Sequence, residues 1–281
     1  MKLMAVMVLY KQAVEESRTF QTLRKTLFSK TDFSHELEMV IYDNSPEKQV
    51  LPSFDHEGIS IQYIHDPRNL GIAVAYNFAW SKAAKSGSDW LLLLDHDTQL
   101  TNEYILELQN LPELESDVAA LVPKIISNGT MISPVYSGYL RPLKEEQPPT
   151  GLQDVPVMAI NSGSLIRMEF LERIGGFNGQ FPLDYLDHWL FYAIYANHHK
   201  VWVLDVVLEH DLSVMDYSQV SLDRYKSILD AEINFYKNYK LGLYPSYRKQ
   251  LAMRLVKQVL LVKNKKIAMY TLSKLLNRKR R

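Results

Sequence analysis

Asp95 and Asp97 stand one residue apart at the end of Trp90-Leu91-Leu92-Leu93-Leu94, a run of residues of the kind that proteins bury. Side chains alternate along an extended chain, so the two carboxylates point the same way. In open α/β sheets, ligands collect at the carboxyl ends of strands. Two hard oxygen donors there suit Mg²⁺ or Mn²⁺, and an ion so held would bridge nucleotide phosphates and neutralise the charge growing on a departing diphosphate. The plain alternative is a polar strand end with solvated carboxylates, and an Asp-x-Asp pair alone does not separate the two. Asn69 and Gly71 precede a helical pattern, where they would cap the helix, leave its N–H groups to a phosphate, or do both. Gly163, within Asn161-Ser162-Gly163, would either let the backbone approach a ligand or form a strand bulge. Tyr185 and Trp189 stand near a helix start, where aromatic residues usually belong to the core. His198 and His199 read as exposed residues on a polar helix end. No G-x-G-x-x-G follows the first apolar run and no G-x-x-x-x-G-K-[ST] occurs, which argues against dinucleotide oxidoreductases and P-loop enzymes.

The elements that would position these groups follow from the pattern of apolar residues. Short apolar runs alternate with longer amphipathic segments up to about residue 101, the mark of strand-helix-strand units and a parallel sheet. Strands are expected over residues 3–9, 38–42, 60–65 and 90–94. Phe20, Leu23 and Leu27 recur at helical spacing, and a second helix should run from Gly71 through Ala73, Ala75, Ala79 and Ala83 to a stop at Gly87. Between residues 102 and 156 seven prolines, Pro123 among them, point to loops and short strands. A strand is expected around Asn161-Ser162-Gly163, then a helix from about Arg167, a turn at Gly175-Gly176, a helix over 188–197 and a strand over 201–208. Beyond Leu212 the pattern becomes long helices, with stripes such as Leu255, Val256, Val259 and Leu260.

Composition sets the outer limits. A hydrophobic share of 47% and a charged share of 23% belong to a folding globular chain and exclude disordered or collagen-like classes. With no cysteine, disulfides, thiolate metal sites and cysteine nucleophiles are excluded. The N-terminal apolar stretch ending at Tyr10 is shorter than a signal h-region with its cleavage site, and no segment reaches the roughly 20 apolar residues of a membrane helix. Any membrane contact is therefore expected to be peripheral.

Taken in order, Val6-Met7-Val8-Leu9-Tyr10, Ile41-Tyr42-Asp43-Asn44-Ser45, Asn69-Leu70-Gly71 with Asn77, and Asp95-His96-Asp97 resemble the family 2 glycosyltransferases of the GT-A fold. With Leu183-Asp184-Tyr185-Leu186-Asp187-His188-Trp189 added, the chain looks most like the bacterial rhamnosyltransferase-like branch. The resemblance implies a GT-A catalytic domain, a mixed sheet flanked by helices, over residues 1–212. It implies an inverting transfer of rhamnose or a hexose from dTDP-rhamnose or a UDP-sugar to a glycan or lipid-linked saccharide, in polysaccharide biosynthesis. Donor contacts would come from Leu9, Tyr10, Asp43, Asn69, Gly71, Asn77, Asp95 and His96, with Asp43 accepting the imide N–H of a pyrimidine. Asn161, Ser162, Gly163 and Trp189 would flank the sugar and acceptor. His210, after a late apolar run, would join Asp95 and Asp97 around Mn²⁺ or Mg²⁺. The base would be Asp187, weighted slightly above Asp184, although the family commonly has adjacent acids where this chain has Asp-Tyr-Leu-Asp. As bare residues, Asp43 to Pro46 read equally well as a turn, His210 as a structural histidine and Asp187 as a partner of a helix dipole.

Residues 213–281 form a second expected part, a helical extension. From residue 248 onward there are 12 Lys or Arg and no Asp or Glu, which leaves the rest of a neutral chain at a net charge of −12. Apolar stripes beside basic residues favour peripheral binding at the inner face of the cell membrane, with self-association as the competitor and nucleic acid set aside. Two other functional classes compete with the leading one. A sugar nucleotidyltransferase would need a Gly-rich basic loop after the first strand, which Leu9-Tyr10-Lys11-Gln12-Ala13 does not provide. An inactive scaffold subunit would have little use for intact carboxylates.

Overall fold

The computed structural model describes residues 1–27, 36–51, 59–111, 113–140, 146–210 and 221–276. Apolar runs that alternate with helices become parallel strands because each crossover returns the chain to the same edge of the sheet. Lys2–Leu9 (β1), Glu36–Asp43 (β2), Ile59–His65 (β3) and Trp90–Leu94 (β4) follow this rule. Arg18–Thr26 (α1) and Ile72–Ser86 (α2) are the intervening helices. Ser17 starts α1 by accepting the Phe20 N–H, and Gly87 ends α2 in the left-handed region at φ 70°. Leu9 pairs with Asp43, Asp43 with His65, and Met7 with Leu94, so strand ends carrying the candidate residues meet at one edge.

The next segment departs from the expected loops. Thr98–Gln99 (β5) is followed by a helix, Asn102–Gln109 (α3), and by a ten-residue strand, Val118–Ser127 (β6), that contains Pro123. The proline is tolerated because the ladder to the neighbouring strand is interrupted there: Val122 pairs with Val203 and Lys124 with Val207, with a bulge between. Asn128 and Gly129, both at positive φ, turn the chain into Thr130–Ser133 (β7). Val135–Tyr136 (β8), Gly151–Gln153 (β9), Val157–Met158 (β10) and Ser164–Arg167 (β11) are short. The strand expected around residue 162 is two strands of different sheets: β10 pairs with β8, while β11 pairs with β4 and β6. Met168–Ile174 (α4), Leu186–Ala196 (α5) and Lys200–His210 (β12) follow. The main sheet runs β3-β2-β1-β4-β11-β6-β12-β5, with β7 beside β6 and β9 beside β12. It is mixed, parallel in its first half and antiparallel around β11. One core fills the space under it, with Met7, Phe20, Leu23, Leu92, Leu94 and Tyr104 among its buried members. His199, expected on the surface, is buried with its ring 5.2 Å from that of Phe170; His198 is exposed.

By packing, the chain divides into two compact units, residues 1–137 with 143–211, and residues 138–142 with 212–281. In the second, Leu222–Asn238 (α6), Tyr244–Leu261 (α7) and Lys265–Leu276 (α8) are held by a closed ring of side-chain hydrogen bonds. Gln258 donates to Tyr225 Oη at 2.7 Å, Tyr225 and Thr271 hydroxyls lie 2.6 Å apart, and Thr271 donates to Gln258 Oε1 at 2.8 Å. Arg254 forks onto Glu232 at 2.7 Å for both bonds. Part of the apolar stripes points outward: Val256, Leu260 and Leu276 are 59%, 72% and 71% exposed. Among the described residues no helix is long and apolar enough to cross a membrane.

At the end of β3, Asp66 is buried and accepts from Tyr42 Oη at 2.8 Å and from the Arg68 fork at 2.7 and 2.8 Å. The Arg68 hydrogen bonds, helped by Tyr42, hold its carboxyl well below the usual carboxylate range. A depressed folded value stabilises the fold above the unfolded pKa of about 3.9 and loses that contribution as pH falls through the folded value. Asp66→Asn should therefore lower stability at pH 7 by about 1 kcal/mol, a modest figure because Arg68 is largely solvated. Urea titrations should show the gap between variant and wild type shrinking steadily as pH falls below about 4; a gap as large at pH 2 as at pH 7 contradicts this account.

Candidate active site

The loop that leaves β4 carries Asp95, His96 and Asp97, and the first turn of α1 clamps its backbone. The first N–H groups of a helix have no partner within the helix, so they are free to bind elsewhere. Thr19 N–H donates to the His96 carbonyl at 3.2 Å. Thr19 Oγ1 lies 2.5 Å from the Asp95 carbonyl and 3.0 Å from that of Thr98, and it accepts the Thr98 N–H at 3.0 Å. Ser17 Oγ donates to the His96 carbonyl at 2.9 Å. Ser17 and Thr19 were not singled out from the sequence, where both read as ordinary residues of a helix start.

Asp95, Asp97 and His210 offer ligand atoms that all lie within 4.8 Å of one another. His210 reaches the loop because it pairs with Thr98 in the antiparallel β12–β5 ladder, a contact across 112 positions of sequence. Its Nδ1 is 3.3 Å from Asp97 Oδ1, a buried oxygen that has no other hydrogen-bond partner among the described residues. Burial first, and then the charges of Asp97 and Asp187, push the Asp95 carboxyl up to about 7, with His96 opposing. Two crowded carboxylates and one imidazole form a donor set that fits Mn²⁺ or Mg²⁺, whose charge would relieve the repulsion.

Asp187 belongs to the same site, since its charge acts on both Asp95 and Tyr76. It lies in the first turn of α5, after Tyr185 in the left-handed region at φ 65°. Its Oδ1 accepts from His188 N–H at 2.8 Å and faces His188 Nδ1 at 2.9 Å. Burial alone would raise its pKa, but the charge and hydrogen bonds of His188 outweigh burial and hold it below the ordinary value. Asp184 is half-buried in the turn before the helix. Tyr76 is fully buried, and burial with the charges of Asp95 and Asp187 drives its hydroxyl well above the usual range. Neither that hydroxyl nor the Asn161 amide oxygen beside it completes a hydrogen bond among the described residues.

The expected donor contacts divide. Asp43 is fully buried, with Oδ1 accepting from Ser45 N–H at 2.9 Å and Oδ2 from Tyr63 Oη at 2.7 Å and Gln49 Nε2 at 2.9 Å. Three of roughly four acceptor positions are thus taken. Tyr10 is 43% exposed at the end of β1, with Lys11 Nζ 5.2 Å from its ring centre. Asn69 is exposed in the left-handed region at φ 48°.

Others are used by the fold itself. Leu9, expected to line the pocket, is packed into the core under the sheet. Gly71, at φ 93°, admits the Pro182 carbonyl: a Cβ would fall 2.2 Å from that oxygen, which instead accepts the Ala73 N–H at 3.1 Å. Of the two roles expected at this helix end, capping and phosphate binding, the first is thus partly filled by the Pro182 carbonyl. Asn77 spends its amide on Phe177, donating to its carbonyl and accepting its N–H, both at 2.8 Å. Gly163 admits Leu208 and Pro123 rather than a ligand, with a Cβ reaching within 2.9 and 3.0 Å of them. Ser162 is fully buried against the Asp95 loop, and Trp189, expected to meet a sugar, is buried as well.

Comparison with known proteins agrees with this geometry. The sequence profile described as Glycosyl transferase family 2 matches residues 6–175, more than half of the chain. A search of curated proteins finds no match. Among solved structures, TarS 1-349 of S. aureus in complex with UDP-GlcNAc is similar at 17% identity and a TM-score of 0.54, over 98% of this chain and 80% of that one. The mannosyltransferase PcManGT from Pyrobaculum calidifontis, in complex with GDP-Man and Mn²⁺, is similar at 14% identity and a TM-score of 0.51, over 99% and 88%. At such identities the likeness is one of fold, a GT-A fold.

An acid whose folded pKa is raised weakens the fold as pH climbs from its unfolded value of about 3.9 to the folded value near 7. In chelator-treated protein, Asp95→Asn should melt several degrees above wild type at pH 8 and at the same temperature near pH 4. Equal melting temperatures at pH 8 would refute the raised pKa of Asp95, which burial and then the Asp97 charge produce.

Proposed function

The chain belongs to glycosyltransferase family 2, and from that premise we propose that it catalyses inverting transfer of a sugar from a nucleoside diphosphate donor to a saccharide hydroxyl. The observation that carries this reading is the convergence of Asp95, Asp97 and His210 at the ends of parallel strands, with Asp187 in electrostatic reach. A divalent cation held by the three would bridge the donor diphosphate and offset the negative charge of the leaving nucleoside diphosphate. Structures of the same fold hold UDP-GlcNAc in one case and GDP-Man with Mn²⁺ in another, which supports a nucleotide-sugar donor here. In this reading the base would lie near Asp43 and Tyr10, at the ends of β2 and β1, where Tyr10 offers an aromatic face beside the Lys11 cation. Rhamnose or a hexose as the transferred group rests on the order of the sequence motifs.

In this reading Asp187 takes the proton of the acceptor hydroxyl while that oxygen attacks the anomeric carbon and the bond to the diphosphate breaks on the opposite face. Hydrogen bonds from His188 orient the carboxylate and keep it ionised at neutral pH. Asp184, three residues earlier, is the second candidate.

The helical unit suggests where the acceptor is met. On α7 the residues turned away from the unit's own core are Met253, Val256 and Leu260, flanked by Lys249 and Lys257. On α8 they are Met269, Leu272 and Leu276, beside Lys265 and Lys266. Apolar residues on the outer face with lysines at their flanks and no acids match an anionic lipid surface. We therefore place the enzyme peripherally at a membrane, acting on a lipid-linked or growing glycan.

With a panel of UDP-, GDP- and dTDP-sugars and Mn²⁺, wild type should release nucleoside diphosphate, and Asp95→Ala or Asp97→Ala should abolish release while circular dichroism stays unchanged. Pyrophosphate in place of nucleoside diphosphate would overturn the assignment in favour of nucleotidyl transfer. Asp187→Asn should cut kcat by about 10²- to 10⁴-fold; a comparable loss in Asp184→Asn alone would move the base to that residue. On vesicles containing phosphatidylglycerol, the triple variant Met253→Glu, Leu260→Glu, Met269→Glu should no longer co-sediment, whereas wild type should. Equal sedimentation of the two would defeat the membrane assignment.

A further inference from the structure

Thr98 and Ser162 are both fully buried, and their hydroxyls are joined by a hydrogen bond. The two residues connect the halves of the candidate metal site. Ser162 Oγ accepts the Asp95 N–H at 3.1 Å, and Thr98 Oγ1 lies 3.0 Å from His210 Nδ1. Thr98 is itself held from the other side, since its N–H donates to Thr19 Oγ1 at 3.0 Å and its carbonyl lies 3.0 Å from the same oxygen. A buried pair so fully engaged has little freedom to re-orient, because breaking any of its bonds would strand a buried polar group.

His210 Nδ1 faces two oxygens, Thr98 Oγ1 and Asp97 Oδ1, the second a carboxylate that can only accept. An imidazole nitrogen between such oxygens is stabilised when it carries the proton. A neutral imidazole protonated at Nδ1 has its free lone pair on Nε2, the form that can ligate a cation. Thr98 Oγ1 then accepts from His210 and passes its own proton toward Ser162 Oγ.

We propose that Thr98 is a positioning residue for the metal site: its hydroxyl fixes the tautomer and ring plane of His210, and through Ser162 it ties that imidazole to the backbone of Asp95. The proposal rests on the assignment of Asp95, Asp97 and His210 as cation ligands. It gives a role to a threonine that lies outside the Asp-x-Asp pair and that nothing in the spacing of the sequence marks.

The test uses the whole chain with Mn²⁺ alone, followed by the paramagnetic resonance signal of the free aquo ion. Thr98→Val, which keeps the shape and removes the hydroxyl, should weaken Mn²⁺ binding by about 10- to 100-fold, the usual cost of losing a partner of a metal-bound histidine. Thr98→Ser should restore most of the affinity. In metal-free wild type, ¹⁵N-detected histidine spectra should show His210 protonated at Nδ1, assigned by its absence in His210→Asn; this arm needs no variant of Thr98 to fold. Wild-type Mn²⁺ affinity in Thr98→Val, or a His210 protonated at Nε2, would overturn the proposal. If Asp95→Ala loses Mn²⁺ while Thr98→Val does not, the role of Thr98 falls and the metal site stands; if Asp95→Ala binds Mn²⁺ normally, the metal assignment itself falls.

Discussion

Two carboxylates held side by side at a sheet edge repel each other, and at short range in a partly desolvated site that repulsion is substantial. Asp95 bears it most plainly, with its carboxyl pushed up to about 7 by burial and by Asp97. A chain free to relax would swing the loop open and let water separate the charges. This one does not, because the loop is fastened from three directions. The first turn of α1 grips the carbonyls of Asp95 and His96, Ser162 takes the Asp95 N–H, and Thr98 is locked to both Thr19 and His210. Strain of this kind persists only where the surroundings over-determine the geometry, and a bound cation is the natural means of relieving it.

The same economy governs the residues around the site. Gly71, Asn77 and Gly163 have the small or polar side chains that a ligand contact would need, and each is committed to another part of the chain instead. Gly71 makes room for the Pro182 carbonyl, Asn77 ties α2 to the Phe177 backbone, and Gly163 lets Leu208 and Pro123 close on the turn before β11. The first two contacts bring the segment that carries Asp187 against the helix that carries Tyr76, so their effect on chemistry is through placement. A residue type compatible with ligand binding is equally compatible with close backbone packing, since both require the absence of a side chain or the presence of an amide.

The helical unit has apolar residues on both its inner and its outer side. Its interior is tied by a ring of polar side chains, Tyr225, Thr271 and Gln258, and by the Arg254–Glu232 fork, while Val256, Leu260, Met269 and Leu276 face outward. Helical spacing reveals that a stripe exists and is silent about which side of the helix meets the core. Here one set of apolar residues, Leu229, Phe235, Leu251 and Ile267 among them, is buried together with the polar ring, and a second set is left outside.

Much of the architecture was legible in the sequence alone. The four parallel strands, α1 and α2, the stops at Gly87 and Gly175-Gly176, and the three late helices follow from apolar periodicity and glycine chemistry, which are local. The Asp95-His96-Asp97 loop was legible too, because an abrupt change from four leucines to carboxylates marks a strand end. What the linear order could not decide was pairing: that Pro123 would fall opposite a bulge, that residues 157 and 164 would enter different sheets, and that His210 would meet Thr98. Nor could it tell that Leu9 and Trp189 would both be buried. The physical reason is that propensity and periodicity act over a few residues, whereas a ladder register or a buried hydroxyl pair is settled by whichever distant partners satisfy every polar group at once.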